Sequence, residues 1–270
     1  SKKRLVPEAK HLLQRQLAVG LSMEVVEGII HPMAATAKEA VGSMGDDAAM
    51  AVLSSQPRPF HHYFRQNFSQ VTNPPIDSLR EARVMSLKTR FGNDGNFLAL
   101  DDSHSEIVLA DTPILLADEM AALVQHFKKR ITRIDTTFAL DAKGNGLRQA
   151  LDRIVAQAEM AALSGKSFLL LSDEAADETR AAIPMILAIS AVHSHLVKKK
   201  LRKKSSILVR TDECSDVHAL AVMIGSGATV VHPSLAEDTI AARHARDLLG
   251  DLPREQALEN LREALAQGLL

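Results

Sequence analysis

Histidine is the residue type that first suggests metal chemistry in this chain, because neutral imidazole is a common zinc ligand and the sequence contains eleven histidines. His193 and His195 are two residues apart in a predicted helix, which places them on different faces. His61 and His62 are adjacent, and the same difficulty applies to them. Since the sequence has no His-Glu-x-x-His motif and no cysteine partner for these residues, it does not predict a zinc site.

Three further residues are candidates for acid–base chemistry. His232 follows a predicted strand, in the position where (β/α) barrels place catalytic groups, and it is the best candidate if the chain is an enzyme. Asp46 and Asp47 are paired carboxylates, which can bind magnesium or exchange protons. Adjacent side chains point apart, however, so we expect this pair to cap the segment that follows.

Two glycine-rich turns and one basic run could bind anions. The turn at residues 144–146 (Gly-Asn-Gly) precedes a predicted helix and could present backbone amides, but it lacks the full dinucleotide-binding pattern. The turn at residues 225–227 (Gly-Ser-Gly) follows a helix, so a C-terminal helix cap explains it better. The run at residues 198–204 contains six Lys or Arg residues and closes a helix, where cations complement the helix dipole and stay solvated.

Two loops are more rigid than regular structure requires. The segment Gln70–Glu81 contains Asn73-Pro74-Pro75, which forces Asn73 out of the helical region and fixes two consecutive φ angles. The segment Gly42–Asp47 is a second turn of small residues, shortly upstream. Rigid corners of this kind are common in loops, so the residues alone favour a structural role.

Composition describes an ordinary globular protein with a net charge of −1 and 46% hydrophobic residues. Neutrality and only 3% aromatic residues argue against nucleic acid or a membrane surface as partner. The longest apolar run, Ile183–Val192, is about half the length needed to span a bilayer. The single cysteine, Cys214, excludes an internal disulfide, and no hydrophobic region follows the basic N-terminus. We therefore expect a cytoplasmic protein.

Hydrophobic periodicity divides the chain into three parts. Residues 1–130 are predicted to be mainly helical and irregular, with Ser22 as an N-cap. Residues 131–250 alternate strands with helices, which predicts a parallel sheet of four βα units, half of an eight-fold barrel. Residues 251–270 are predicted to form an amphipathic C-terminal helix.

The pattern predicts individual helices and strands in the first two parts of the chain. In the first part, helices are expected at Pro7–Ala18, Val25–Met33, Pro57–Phe68 and Leu116–Phe127. In the second part, strands are expected at Ile131–Leu140, Ser167–Ser172, Ile207–Arg210 and Thr229–Val231. Helices between and after these strands are expected at Leu147–Leu163, Ile183–Leu201, Val217–Ile224 and Thr239–Leu249.

Four segments occur in an order that resembles a known family. They are GSMGDDAAMAVLS (42–54), PRPFHHYFRQNFSQVTNPPIDSLREARVMSL (57–87), AAIPMILAISAVHSHLVKKKLRKK (181–204) and VHALAVMIGSGATVVHPSLA (217–236). This order resembles the central domain of the large subunit of glutamate synthase, an enzyme that converts glutamine and 2-oxoglutarate to two glutamates. The resemblance implies an α/β fold, an incomplete or distorted (β/α) barrel-like domain with a mainly helical N-terminal part, related to the flavin barrel of the same enzyme.

The resemblance also implies a role in moving ammonia. In the family, an amidotransferase domain releases ammonia, a flavin (FMN) barrel uses it, and the central domain contributes wall to the tunnel between them. The tunnel-wall positions correspond to Met44, Gly45, Thr72, Asn73 and Pro74. Those neighbouring domains are therefore the expected partners, with a small electron-donating subunit as a further one. The sequence does not distinguish NADPH, NADH and ferredoxin as electron donor.

The family's catalytic parts are missing from this sequence. Its glutaminase needs an N-terminal cysteine, and its iron–sulfur cluster needs several thiolates, whereas this chain has Cys214 alone. We therefore expect no catalytic residue, metal or cofactor in the chain, with FMN and the cluster bound elsewhere. Two other functions stay open: a stand-alone binding or scaffold protein derived from this domain, and a small barrel enzyme acting on a phosphorylated substrate.

Overall fold

The computed structural model describes residues 7–40, 49, 51–55, 58–65, 80, 84–93, 95, 98, 107–141 and 144–270. In this part of the chain the helices are α1 (Ala9–Ala18), α2 (Met23–Thr36, with a π-helical turn at Val26–Ile30), α3 (Ala117–His126), α4 (Gly146–Leu163), α5 (Met185–Lys198), α6 (Val217–Gly225), α7 (Ser234–His244) and α8 (Arg254–Gln267). The strands are β1 (Thr89–Phe91), β2 (Val108–Ala110), β3 (Ile131–Asp135), β4 (Thr137–Ala139), β5 (Phe168–Ser172), β6 (Arg180–Ala182), β7 (Ser206–Thr211) and β8 (Val230–Pro233). Short 3₁₀ turns lie at Phe60–Tyr63 and Arg202–Lys204.

Four parallel strands form the main sheet, in the order β3, β5, β7, β8. Helices α4, α5 and α6 connect successive strands, as the alternating pattern predicts, and Ile114 adds a single parallel bridge beside Val231 of β8. The fold is therefore α/β. Among the strands that the structure describes, the sheet stays open, and the expected barrel is not confirmed.

Both faces of the main sheet are buried. On one face, strand residues such as Leu169 and Val209 join the larger core, which α2, α4, α5, α6, α7 and α8 complete. On the other face, Phe168 and Leu208 pack in a smaller core under β1 and α3, where Phe91 contributes a ring. Burial on both faces explains why these strands read as continuous apolar runs.

The structure corrects several predicted elements, two of them in kind. The strand expected over Ile131–Leu140 is interrupted at Thr136, because the Asp135 side chain accepts the Thr137 N–H (2.9 Å) and turns the chain. Strand β4 then leaves the main sheet and pairs antiparallel with β6. The helix expected over Pro57–Phe68 is wrong for residues 58–65, which contain only the 3₁₀ turn Phe60–Tyr63.

The N-terminal helices pack onto the sheet region through polar contacts as well as apolar ones. Ser22 caps α2 as predicted, since its hydroxyl accepts the Val25 N–H (3.3 Å).

No single helix among the described residues has the length and apolarity to cross a bilayer, although α1 and α2 together, bent by 102°, meet both criteria.

Helix α7 is nearly surrounded by protein. It begins directly after β8, five residues before the predicted start at Thr239, and its charged residues Glu237, Asp238 and Arg243 are all buried. A helix of this kind has no amphipathic stripe, so periodicity places its ends poorly.

Candidate functional site

The five predicted tunnel-wall residues, Met44, Gly45, Thr72, Asn73 and Pro74, lie outside the described residues, as do Asp46 and Asp47. The sites that the structure does describe lie at the carboxyl edge of the parallel sheet and beside it. In open α/β sheets this edge is where ligands bind.

An arginine from α1 occupies the centre of this edge. The Arg15 guanidinium donates two hydrogen bonds to Asp212, which follows β7 (2.7 and 2.6 Å), and one to Asp238 of α7 (2.6 Å). The Ser234 hydroxyl donates a further bond to Asp212 (2.6 Å). All three charged side chains are largely buried, at 14%, 13% and 7% exposure.

The pKa values of this cluster follow from its geometry. Burial alone would raise the pKa of Asp212, but the hydrogen bonds and charge of Arg15 outweigh it and hold that pKa below its usual value. Burial alone would lower the pKa of Arg15, and its two carboxylate partners raise it instead. Arg15 and Asp212 therefore favour each other's charged forms.

Two other carboxyl groups at this edge are destabilised as anions. Burial, with the nearby Asp212 charge, raises the pKa of Asp173 to about 7, against the stabilising bonds from Thr211 and the Asp212 N–H. Burial raises the pKa of Glu213 to about 7 as well. Both Glu213 oxygens accept the Met185 N–H at the start of α5 (3.1 Å each). These groups have acid–base character, but they are engaged in holding the ends of β7 and α5.

His232, the predicted candidate for chemistry, lies at the same edge and is 2% exposed. Its Nε2 lies 2.9 Å from Glu237, whose carboxylate also accepts the Ala117 N–H at the start of α3 (2.9 Å). The structure thus places His232 where the sequence predicts, but uses it to join β8, α7 and α3.

The remaining sequence candidates have local structural partners. The two histidines of α5 face different neighbours: Arg202 donates to His193 (3.2 Å), whereas His195 lies 2.5 Å from Glu159. Gly227 has a φ of +121°, and a Cβ there would lie 2.4 Å from the His193 ring, so the 225–227 turn requires glycine for packing. Arg202 also donates to the backbone carbonyl of Gly227 (3.0 Å), so this member of the basic run is not simply solvated.

A cavity of about 510 Å³ lies at the opposite, amino edge of the sheet. Its lining includes Leu87, Lys88, Arg202, Thr229 and Leu269. Arg202 is committed there to the Ser205 carbonyl (2.8 Å) and to the Thr229 hydroxyl (3.2 Å). The described residues that line this cavity include no Asp, Glu, His or Cys that could act as the acid or base of a catalytic pair.

A different cluster contradicts the expectation that His61 and His62 are too badly placed to share a ligand. Their rings meet at 83° with centroids 4.5 Å apart, and one ligand atom from each lies within 4.8 Å of Asp216 and of the other. The nearest pair is His61 Nε2 and Asp216 Oδ2, at 3.5 Å. Sequence reasoning missed Asp216, because it is 154 positions from His62 along the chain and contributes from a separate element.

The third histidine of this region positions the turn. His218, in the first turn of α6, has its Nε2 2.9 Å from the carbonyl oxygens of both His61 and Phe64. Because carbonyl oxygens only accept, this nitrogen carries the proton and donates to them. Burial lowers the pKa of His62, and the neighbouring His61 lowers it further.

Comparison with known proteins gives one family. The family model described as "Glutamate synthase central domain" matches residues 14–270. The chain is 50% identical over 259 residues to the glutamate synthase (NADPH) large chain of Azospirillum brasilense, covering 96% of this chain and 17% of the relative. It is 36% identical to the glutamate synthase (NADH) of Saccharomyces cerevisiae (95% and 12% covered) and 37% identical to the ferredoxin-dependent glutamate synthase of Pyropia yezoensis (97% and 18%). The chain thus spans less than a fifth of the length of each of these relatives.

Proposed function

The chain belongs to the glutamate synthase central domain family, and from this premise we propose that it acts as the non-catalytic central domain of a glutamate synthase large chain. In this role it joins an amidotransferase domain to an FMN-binding barrel and contributes wall to the ammonia tunnel. The whole enzyme converts glutamine and 2-oxoglutarate to two glutamates. The electron donor stays open, because the relatives are named for NADPH, NADH and ferredoxin alike.

One observation carries the non-catalytic part of this proposal: the sheet edge that would hold a substrate is filled by the chain's own side chains. Arg15 bridges Asp212 and Asp238 at 2.6–2.7 Å, in the place where a ligand would sit. His232 beside them is enclosed by its own partners. The enzyme acting on a phosphorylated substrate is therefore the less favoured function.

The cofactors of the whole enzyme belong, in this proposal, to its other domains. Burial raises the pKa of Cys214 far above its usual value, so this thiol is suited neither to nucleophilic attack nor to cluster ligation. A small electron-donating subunit and a cytoplasmic location are further parts of the proposal. An incomplete barrel is also part of the proposal, since four parallel strands with a bridge at Ile114 would begin to form one.

The tunnel wall is proposed at Met44, Gly45, Thr72, Asn73 and Pro74. Ammonia is small and neutral, so a conduit needs a narrow, rigid wall with occasional hydrogen-bond partners. Carbonyls left free by prolines and a threonine hydroxyl provide both properties. The family membership over residues 14–270 supports this assignment, since these positions lie inside the matched range.

Replacing Thr72 by tryptophan in the whole enzyme tests the tunnel. We expect glutamine-dependent glutamate formation to fall about tenfold or more, while the reaction supplied with free ammonia is unchanged. The matched control is Thr36→Trp, which places the same bulk at an exposed position of α2 and should spare both activities. An equal loss of both activities in Thr72→Trp would exclude the tunnel role and leave a role in folding.

A further inference from the structure

Three side chains converge between the turn Phe60–Tyr63 and the start of α6. They are His61 and His62 from the turn and Asp216 from the residue before α6, and each offers one ligand atom within 4.8 Å of the other two. The elements that carry them are more than 150 residues apart in sequence. Buried polar atoms are ordinarily hydrogen-bonded, so the unpartnered Nε2 of His61 in this cluster calls for a physical explanation.

The closest pair of atoms that face each other in this cluster is His61 Nε2 and Asp216 Oδ2. His61 is 3% exposed, and its Nε2 has no hydrogen-bond partner among the described residues. Asp216 caps α6 with Oδ1, which accepts the Ala219 N–H (2.7 Å), and this bond orients Oδ2 toward His61 at 3.5 Å. The helix cap therefore fixes one carboxylate oxygen and presents the other.

The backbone that carries the two histidines is held in place independently. His218 donates to the carbonyl oxygens of His61 and Phe64 and so fastens the turn to α6. Because its Nε2 donates these bonds, it cannot also bind a metal ion, and His218 instead positions the turn that carries His61 and His62. Supporting contacts that orient the ligating residues are a general feature of metal sites in proteins.

We propose that His61, His62 and Asp216 form a binding site for a divalent transition metal ion, with Zn²⁺ the best match. Two imidazole nitrogens and one carboxylate oxygen are ligands that zinc accepts, and they leave one position for water. Two ligands of a tetrahedral zinc ion lie about 3.3 Å apart at Zn–N and Zn–O lengths near 2.0 Å. The 3.5 Å between His61 Nε2 and Asp216 Oδ2 is close to this value.

The ligand set selects against other common cations. Ca²⁺ and Mg²⁺ prefer sites made of oxygen atoms, and two of the three groups here are imidazoles. Soft ions such as Cu(I) prefer sulfur ligands, and Cys214, the one cysteine, is not part of the cluster. A bound ion would link the turn to α6, in addition to the hydrogen bonds that His218 donates to the turn.

Metal binding is measured first on the unmodified 270-residue chain, freed of metal with a chelator and shown to be folded by circular dichroism. Titration calorimetry with Zn²⁺ should give one saturable site. Co²⁺ in its place should give the visible ligand-field absorption of a low-coordinate nitrogen and oxygen site. Absence of saturable Zn²⁺ binding to the folded chain would overturn the proposal.

Two variants assign the site. His62→Ala removes the imidazole ligand of His62, which is the less buried of the two histidines. Asp216→Asn removes the anionic ligand but keeps an oxygen that can cap α6. Each should weaken Zn²⁺ binding at least about 10- to 100-fold, the loss that even supporting residues of metal sites produce. The expected cobalt spectrum should be lost in parallel.

Matched controls separate this site from binding by surface histidines. His11→Ala and Asp152→Asn make the same two changes at exposed positions of α1 and α4, and both should bind as the unmodified chain does. If all four variants bind Zn²⁺ equally, the ion binds elsewhere and the proposal is wrong. If the controls lose binding and the site variants keep it, the same conclusion follows.

Discussion

Asp212 and Asp216 lie four residues apart after the same strand, yet the structure treats their carboxylates differently. Asp212 receives two hydrogen bonds from Arg15 and one from Ser234, so both its oxygens are engaged by the chain itself. Asp216 receives one bond from the Ala219 N–H and turns its second oxygen toward His61, with no Lys or Arg ion pair to it among the described residues. The first is a closed arrangement, and the second is open on one side.

The two carboxylates differ in whether the chain itself supplies the neutralising charge. A buried charge is costly unless it is paired, so a fold that buries Asp212 must supply Arg15. The Asp216 carboxylate is 20% exposed and lies beside the His61 imidazole, so its charge is partly solvated and does not require an arginine of the chain. The closed site therefore serves the stability of the domain, and the open site serves binding.

The largest expected effect comes from opening the closed site. Arg15→Met removes the cation but keeps much of the apolar stem, and it leaves Asp212 and Asp238 buried without it. We expect the free energy of unfolding to fall by about 3–5 kcal/mol, the usual result of breaking one side of a buried ion pair. Urea unfolding followed by circular dichroism measures the loss.

The control for this change is an arginine of the same charge on the surface. Arg148 pairs with Asp152 at 3.7 Å, and the two side chains are 82% and 73% exposed. Arg148→Met should cost no more than about 0.5 kcal/mol, as exposed i,i+4 pairs do. If the two variants lose equal stability, the distinction between a closed and an exposed charge fails.

The next largest expected effect is a pH dependence of stability caused by Glu213, which lies directly after Asp212 at the same edge of the sheet. The folded chain raises the pKa of Glu213 from 4.5 to about 7, so between these values the folded state keeps a proton that the unfolded state releases. Stability must then fall as pH rises from about 5 to 8, because the unfolded state binds fewer protons there. We expect Glu213→Gln to remove about 1–3 kcal/mol of this decline.

Unfolding free energies measured at several pH values test the assignment. Glu213→Gln keeps an acceptor for the Met185 N–H and abolishes the titration, so the slope should flatten rather than the fold collapse. Part of the slope should persist, since Asp173 has the same raised pKa of about 7. Glu263→Gln, an exposed glutamate of α8, is the matched control and should keep the original slope. An unchanged slope in Glu213→Gln would refute the assignment.

The sequence predicts the main sheet well because its signals are strong and local. Strands β5, β7 and β8 are β-branched or leucine-rich runs, bounded by helices whose apolar faces are clear, and their predicted and observed positions agree within a few residues. Strands β1, β2, β4 and β6 are three residues long each, and such short runs carry too little periodicity to be recognised.

The site residues are harder to predict, because both sites depend on contacts between distant parts of the chain. Carboxylates directly after strands, such as Asp173 and Asp212, could have been recognised from the position of a parallel sheet's carboxyl edge. Nothing in α1 marks Arg15 as the partner of Asp212, 197 residues away. For the histidines, the expectation assumed an α-helix, and the 3₁₀ turn that replaces it gives the adjacent rings a different geometry.

The smallest expected effect concerns the open site in the absence of metal. Asp216→Asn keeps the oxygen that accepts the Ala219 N–H, and it removes only the partly exposed charge near His61. With a chelator present, we expect a loss of less than about 1 kcal/mol.

Comparison with Asp216→Ala separates the two roles of this carboxylate. The alanine variant also loses the cap of α6, so it should cost about 1 kcal/mol more than the asparagine variant. Stabilisation by Zn²⁺ should reach about 2.7 kcal/mol in the unmodified chain at a hundredfold excess over its dissociation constant, and both variants should reduce it to about 1.4 kcal/mol or less at the same Zn²⁺ concentration. Urea unfolding with and without Zn²⁺ gives all of these values in one series. If Asp216→Asn without metal costs as much as Arg15→Met, then Asp216 is as essential to the fold as Asp212. The contrast between a closed site for stability and an open site for binding would then not hold.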